Sequence, residues 1–191
     1  MKNFQNKQFV FALLLIVAVA SRLIPHPANL IPLGAFAIFV GFKMGKAYAL
    51  LLIASVMLIT DLFLGFSMSS IFVYLGMAGY ALASYLVKKN YFSIFLAAFC
   101  GSSLFFVVSN FGVWLGPWYP HTLSGLVSCF TLAIPFFTNT LIADIAFSGL
   151  TFGLFALYQK NKEGGLWMNI PLKRKELAWQ TISKGPTLKQ R

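Results

Sequence analysis

Carboxylates are almost missing from this chain. Four Asp and Glu stand against fifteen Lys and Arg in 191 residues, and charged residues of both signs make up only 10%. A soluble domain carries about 25%, so this chain has too few polar groups to cover a water-facing surface of its size. Cysteine is equally scarce. Cys100 and Cys129 lie in or beside apolar runs without metal-type spacing, and they read as buried thiols rather than a disulfide pair. No Gly-rich phosphate loop occurs, so the chain does not hydrolyse ATP itself, and no His-Glu-x-x-His stretch is present. His121 and Ser124 stand close, but no acid is placed to orient the histidine for serine chemistry. His26 and His121 could meet at a metal only with a third ligand, which the spacing does not supply. The expectation is therefore no enzyme, no cofactor and no metal site. Internal repeats of the inverted-carrier kind are lacking, and so is a line of polar residues along a full pore.

Apolar residues are abundant instead: 59% of the chain is hydrophobic and 17% aromatic. A membrane span needs roughly 20 apolar residues to cross a ~30 Å core. Hydropathy and breaks predict an all-α, polytopic membrane protein with six transmembrane helices, at about 8–23, 33–42, 47–64, 71–87, 92–113 and 136–158. An extracytoplasmic loop and a short amphiphilic helix, 122–133, precede helix 6, with Pro135 opening that helix. The layout divides into a six-helix membrane domain, 1–160, and a basic cytoplasmic tail, 161–191. Ala18-Val19-Ala20 has the form of a signal-peptidase site, yet small residues also suit packed membrane helices. Cleavage there would leave the sidedness of everything downstream unchanged.

Charge placement sets the orientation. The net charge of +11 does not point to nucleic acid, because eight of the fifteen basic residues follow Leu157. Six of the other seven cap apolar runs: Lys2 and Lys7 before helix 1, Lys43 and Lys46 between helices 2 and 3, Lys88 and Lys89 between helices 4 and 5. With six spans all six share one face, and only Arg22, at the outer end of helix 1, breaks the rule. Basic loops stay in the cytoplasm, so both termini are expected inside, in the cytoplasmic (inner) membrane. The opposite loops, 24–32, 65–70 and 114–134, contain no Lys or Arg. The tail, with Trp167 and Trp179 among Lys173, Arg174 and Lys175, suits either an anionic leaflet or a plain topology anchor.

Polar residues gather near the outward ends. Asp61 and Asp144 are the two acids inside spans. A carboxylate at the bilayer centre costs at least ~2.5–3.5 kcal/mol, so each needs a partner, a wet cavity or a proton. Arg22 is the natural counter-ion for one of them, either as a structural clamp or at a ligand cavity. His26 and Asn29 follow in a proline-locked turn. "SNFGVWLGPWYPHTLSG" adds Asn110, Trp114, Trp118, Tyr119 and His121 without a single charge, and Asn139 lies early on helix 6. Trp and Tyr collect at headgroup level in any case, but the Gly and Pro breaks between them fit irregular backbone lining a cavity. Together these eleven residues outline an outward-facing substrate pocket, with Trp114, Trp118 and Tyr119 as its roof, Asn110, Asn139 and Asp144 as hydrogen-bonding groups, and Arg22 and Asp61 setting the charge.

"RLIPHPANLIPLGAFAIFVG", "SNFGVW" and "YPHTLSGLVSCFTLAIPFFTNTLIAD" resemble an uncharacterised bacterial membrane family whose members are described as transport proteins. That family is grouped with the S components of energy-coupling factor (ECF) transporters, and the resemblance covers about 22–157. It implies a six-helix subunit that captures a vitamin-like small-molecule substrate from outside. A separate transmembrane coupling subunit and ATPases would then drive release inward. S components often carry an Ala-x-x-x-Ala pair on helix 1. Here Ala12, Ala18 and Ala20 lack that spacing, while Ala37, Gly41 and Gly45 on helix 2 offer a close-packing face. One related group depends on a cysteine near its cobalamin, which draws attention to Cys129. The alternative expectation is a non-transporting membrane scaffold or assembly protein whose basic tail binds lipid or a partner.

Overall fold

Gly45 and Gly65 decide where the apolar stretch 30–64 is cut. Gly45 has φ 105° and Gly65 has φ 88°, backbone that residues with a Cβ rarely adopt. Each closes a helix by donating its N–H one turn back, Gly45 to the Gly41 carbonyl and Gly65 to the Asp61 carbonyl. In the computed structural model, which describes residues 2–88 and 90–163, every regular element among the described residues is helical. In chain order these are α1 (Lys2–Leu23), α2 (Leu33–Met44), α3 (Lys46–Leu64), α4 (Ser70–Ala83) with a 3-10 turn (Ser84–Leu86), α5 (Tyr91–Trp114) and α6 (Leu123–Glu163). Lys89 and the tail from residue 164 onward, which carries most of the expected basic segment, lie outside the described residues. Contacts divide the chain after Leu154. Residues 155–163 are helix, and the packing described below concerns the part before them.

Three helices are long and apolar enough to cross a membrane: Lys46–Leu64, Tyr91–Trp114 and Leu123–Gln159. Their outer faces match, since large apolar side chains such as Leu62, Phe63 and Leu150 are more than half exposed. Patches of that extent mark a surface that meets lipid or protein rather than water, and the chain is a helical membrane protein. The Leu33–Met44 helix and the Ser70–Leu86 segment are apolar but shorter. Twelve residues rise only ~18 Å, so α2 falls short of the ~30 Å core.

Helix α2 is instead the hub. Leu33 through Val40 are all buried, as expected of a helix that is apolar on every side. It touches α1, α3, α4 and α5, and Phe39 packs edge-on against Phe152 of α6 at 5.2 Å. The small residues Ala37 and Gly41 therefore serve this bundle rather than an outside partner. Ala37 is fully buried, and a Cβ on Gly41 would strike Ser84. The close-packing face expected on helix 2 is present at Ala37 and Gly41, and the helix's own neighbours occupy it.

The separate short helix at 122–133 is corrected. It starts close to where the sequence suggests, with Thr122 Oγ1 accepting the Gly125 N–H at 3.2 Å as a cap. It then runs on without interruption, and Pro135 lies inside α6 rather than at its start. Proline removes one helical hydrogen bond, but any loop at that depth would expose several polar backbone groups to lipid. Continuing the helix is the smaller cost. The 123–154 portion alone rises about 48 Å. Smaller differences sit at the ends. Helix α1 begins at Lys2 because nothing before residue 8 breaks a helix, and α4 tightens into its 3-10 turn before Val87. Asn90 accepts the Ser93 N–H at 2.7 Å and so opens α5 beside the Lys88 turn.

Candidate functional site

Asp144 lies midway along α6, and Ser102 midway along α5. Around Asp144 the fold assembles a closed polar cluster. Its Oδ2 accepts the Tyr80 hydroxyl at 2.5 Å and the Ser102 hydroxyl at 2.6 Å. The start of α2, with the Ala35 backbone N–H, lies beside this carboxylate. Ala35 belongs to the first turn of α2, whose N–H groups have no partner inside the helix. A carboxylate also suits the positive end of the helix dipole. Asp144 thus faces the start of α2 from a different helix, and is 1% exposed. Room for this close approach comes from glycine, as a Cβ at Gly34 would meet Asp144 Oδ1 and the Tyr80 ring.

Asp61 is matched differently. Arg22 Nη2 lies 2.9 Å from Asp61 Oδ1, and the Tyr74 hydroxyl donates to Asp61 Oδ2 at 3.0 Å. The other guanidinium nitrogen lies against the Met57 sulfur. This ion pair joins the end of α1 to the end of α3 and ties α4 to both. Tyr80 is six residues further along α4 than Tyr74, so the Asp144 cluster lies ~9 Å deeper along that helix.

A cavity of about 410 Å³ opens among α4, α5, α6 and two loops. Asn29, Ser109, Asn110, Tyr119 and Thr140 supply its polar lining, and Phe105, Phe106, Phe136 and Phe137 supply aromatic faces. Cys129 also lines it and is buried. Its volume is at the lower end of the ~300–1,000 Å³ typical of small-molecule sites. Thr140 and Asp144 are four apart on α6, so the carboxylate cluster lies one turn beyond the cavity wall. Phe105, whose ring is 6.4 Å from that of Tyr80, stands in the cavity wall on that side. Asn29 holds φ 62°, a left-handed turn that asparagine tolerates. Its neighbour Ala28 is tied to α6 by an Asn139 Nδ2 donation to the Ala28 carbonyl at 3.0 Å.

Of the eleven residues singled out in the sequence, Asn29, Asn110 and Tyr119 line this cavity. Asn139 braces its loop wall from behind. Arg22 and Asp61 bind one another, and Asp144 is sealed in its own cluster, so none of the three charges lies on the lining. Trp114 donates its Nε1–H to the Pro120 carbonyl at 3.1 Å and packs against His121 at 5.6 Å. Trp118 is 77% exposed and borders a separate hollow of about 240 Å³ with Met68 and Ser69. His26 is exposed, with Nδ1 2.7 Å from the Ile24 carbonyl oxygen. His121 Nε2 lies 3.3 Å from the Gly116 carbonyl oxygen, and no group of three metal-ligating side chains occurs among the described residues. The sequence places Thr140 beside Asn139 on the outer part of helix 6, and Thr140 does line the cavity; sequence reasoning missed Ser109 and the four phenylalanines, and it missed Tyr80 and Ser102 as partners of Asp144. One signal was present: Ser102 and Ser109 are seven apart, two turns along one face of an otherwise apolar helix.

Residues 2–166 match a family of unknown function, DUF6580, and the chain belongs to that family. Neither a curated protein nor a solved structure matches it.

Proposed function

We propose that this chain is an integral membrane solute-binding protein of the S-component type, working in small-molecule uptake rather than in catalysis. The observation that carries the reading is the roughly 410 Å³ cavity, which combines aromatic faces with amide and hydroxyl groups. Its α5 lining, residues 105–113, belongs to the half of that helix remote from the basic Lys88 turn. By the positive-inside rule the cavity then faces outward from the cytoplasmic membrane, with six crossings, the second made by the short α2 together with the 24–32 turn, and both termini inside. Tyr119 and the 24–32 loop form its rim. A coupling subunit and ATPases would supply the energy for release, since the sequence carries no Gly-rich phosphate loop. The scaffold alternative rests on the tail beyond residue 164, and no feature of the described residues favours it.

The test is a thermal-shift screen of the purified protein in lipid nanodiscs against vitamins and other water-soluble micronutrients. A ligand at a hundred times its Kd should stabilise the protein by ~2.7 kcal/mol. The shift should vanish in Asn110→Leu and in Tyr119→Ala while the unliganded melting temperature stays close to that of the parent. A protein that no compound shifts, and whose cellular role is lost only on deletion of 166–191, is the scaffold instead.

A further inference from the structure

The charged residues of this half of the bundle are all engaged elsewhere. Arg22 and Asp61 pair at 2.9 Å, and Asp144 is enclosed by Tyr80, Ser102 and the start of α2. Among the described residues, no Lys, Arg, Asp or Glu lines the cavity. An ion entering it would lose its water and meet no opposite charge, at a cost of several kcal/mol.

The polar groups of the helical wall, Ser109, Asn110 and Thr140, are also biased in what they offer. Ser109 donates its hydroxyl proton to the Phe105 carbonyl at 2.6 Å, and Thr140 donates to Phe136 at 2.9 Å. Asn110 gives one amide N–H to the Phe106 carbonyl at 2.7 Å, and Cys129 directs its thiol at the Asn110 carbonyl at 3.5 Å. In each case a proton is committed to the residue's own helix or its neighbour. The lone pairs of Ser109 Oγ, Thr140 Oγ1 and Asn110 Oδ1 remain for an occupant. Within the helical wall, acceptors therefore outnumber donors.

Resting on the solute-binding reading, we infer that the ligand is a neutral, compact ring compound that donates hydrogen bonds through N–H or O–H groups. The phenylalanines take its flat faces, and Ser109, Asn110 and Thr140 accept its protons. Anionic and cationic micronutrients are rejected for want of a counter-charge. Neutral analogues without donors are rejected because they leave those acceptors buried and unpaired.

The experiment is a binding screen in nanodiscs with fragments sorted beforehand into neutral donors, neutral non-donors, anions and cations. It includes matched sets such as nicotinamide, N,N-diethylnicotinamide and nicotinate. Hits are expected among the neutral donors, and capping the donor should weaken binding about 5–150-fold. Thr140→Val, which keeps the shape, should weaken a neutral donor about 2–10-fold. Asn110→Asp should admit cationic fragments that the parent refuses. Unliganded melting curves check that each variant folds. Charged fragments that bind the parent as tightly as neutral donors, and lose affinity in Asn110→Leu, overturn this ligand class and leave solute binding standing. Equal affinity for capped and uncapped partners does the same. Silence from every class removes the solute-binding reading, and this inference with it.

Discussion

Tyr80 fits between two glycines. A Cβ on Gly34 or on Gly101 would come within about 2.6 Å of its ring, and the ring is buried, with no room to turn aside. Gly34→Ala or Gly101→Ala should each destabilise the protein by about 1–3 kcal/mol, the usual cost of overfilling a packed core. Tyr80→Phe keeps the ring and removes one donor from Asp144. It should cost about 1–3 kcal/mol and disturb the bundle less than Tyr80→Ala does. Denaturation in detergent reads all four variants, and wild-type stability in Tyr80→Phe would mean that the Asp144 cluster does not hold α2. Asp144 itself was legible as an acid that needed a partner, but the partner was not. Arg22 suits either aspartate by sequence, and only the depth at which each helix begins brings it to Asp61. Nothing in the sequence marks Tyr80, because tyrosine is equally at home at the lipid headgroups.

At the scale of elements, α2 and α6 depart furthest from a reading by hydropathy. An apolar helix of twelve residues looks like a short span. Here it starts beside the Asp144 carboxylate and is buried along Leu33–Val40. Pro135 looked like a beginning and is an interior residue. Local propensity places a break there, since proline costs ~3 kcal/mol against alanine in a helix interior. The membrane reverses the choice by penalising open backbone more. Pro135→Ala should therefore raise the melting temperature, because it returns a hydrogen bond to the Thr131 carbonyl within a helix that is already continuous. A fall in stability would instead indicate that the proline terminates one helix and starts another. The helix boundaries marked by Gly45, Gly65 and Asn90 were readable within a residue or two, since those signals act over a single turn.

For the whole molecule, the proposed sidedness is open to direct measurement. Single cysteines at Ser67 and His121, in a background without Cys100 and Cys129, should react with an impermeant maleimide added outside intact cells. Cysteines at Lys46 and Lys88 should react only after the cells are opened. Labelling of all four from one side would overturn the six-span arrangement and the outward cavity together. Composition and charge alone determined that the chain is helical and membrane-embedded, because water and lipid sort residues by polarity wherever those residues lie. Which polar groups meet was decided only by the packed bundle. Hydrogen bonds act over about 3 Å, and Asp144 is 109 positions from Ala35 along the chain, with Tyr80 and Ser102 between. A cavity is likewise a gap between helices, defined by where five segments fail to touch, and no single segment records that in its own order of residues.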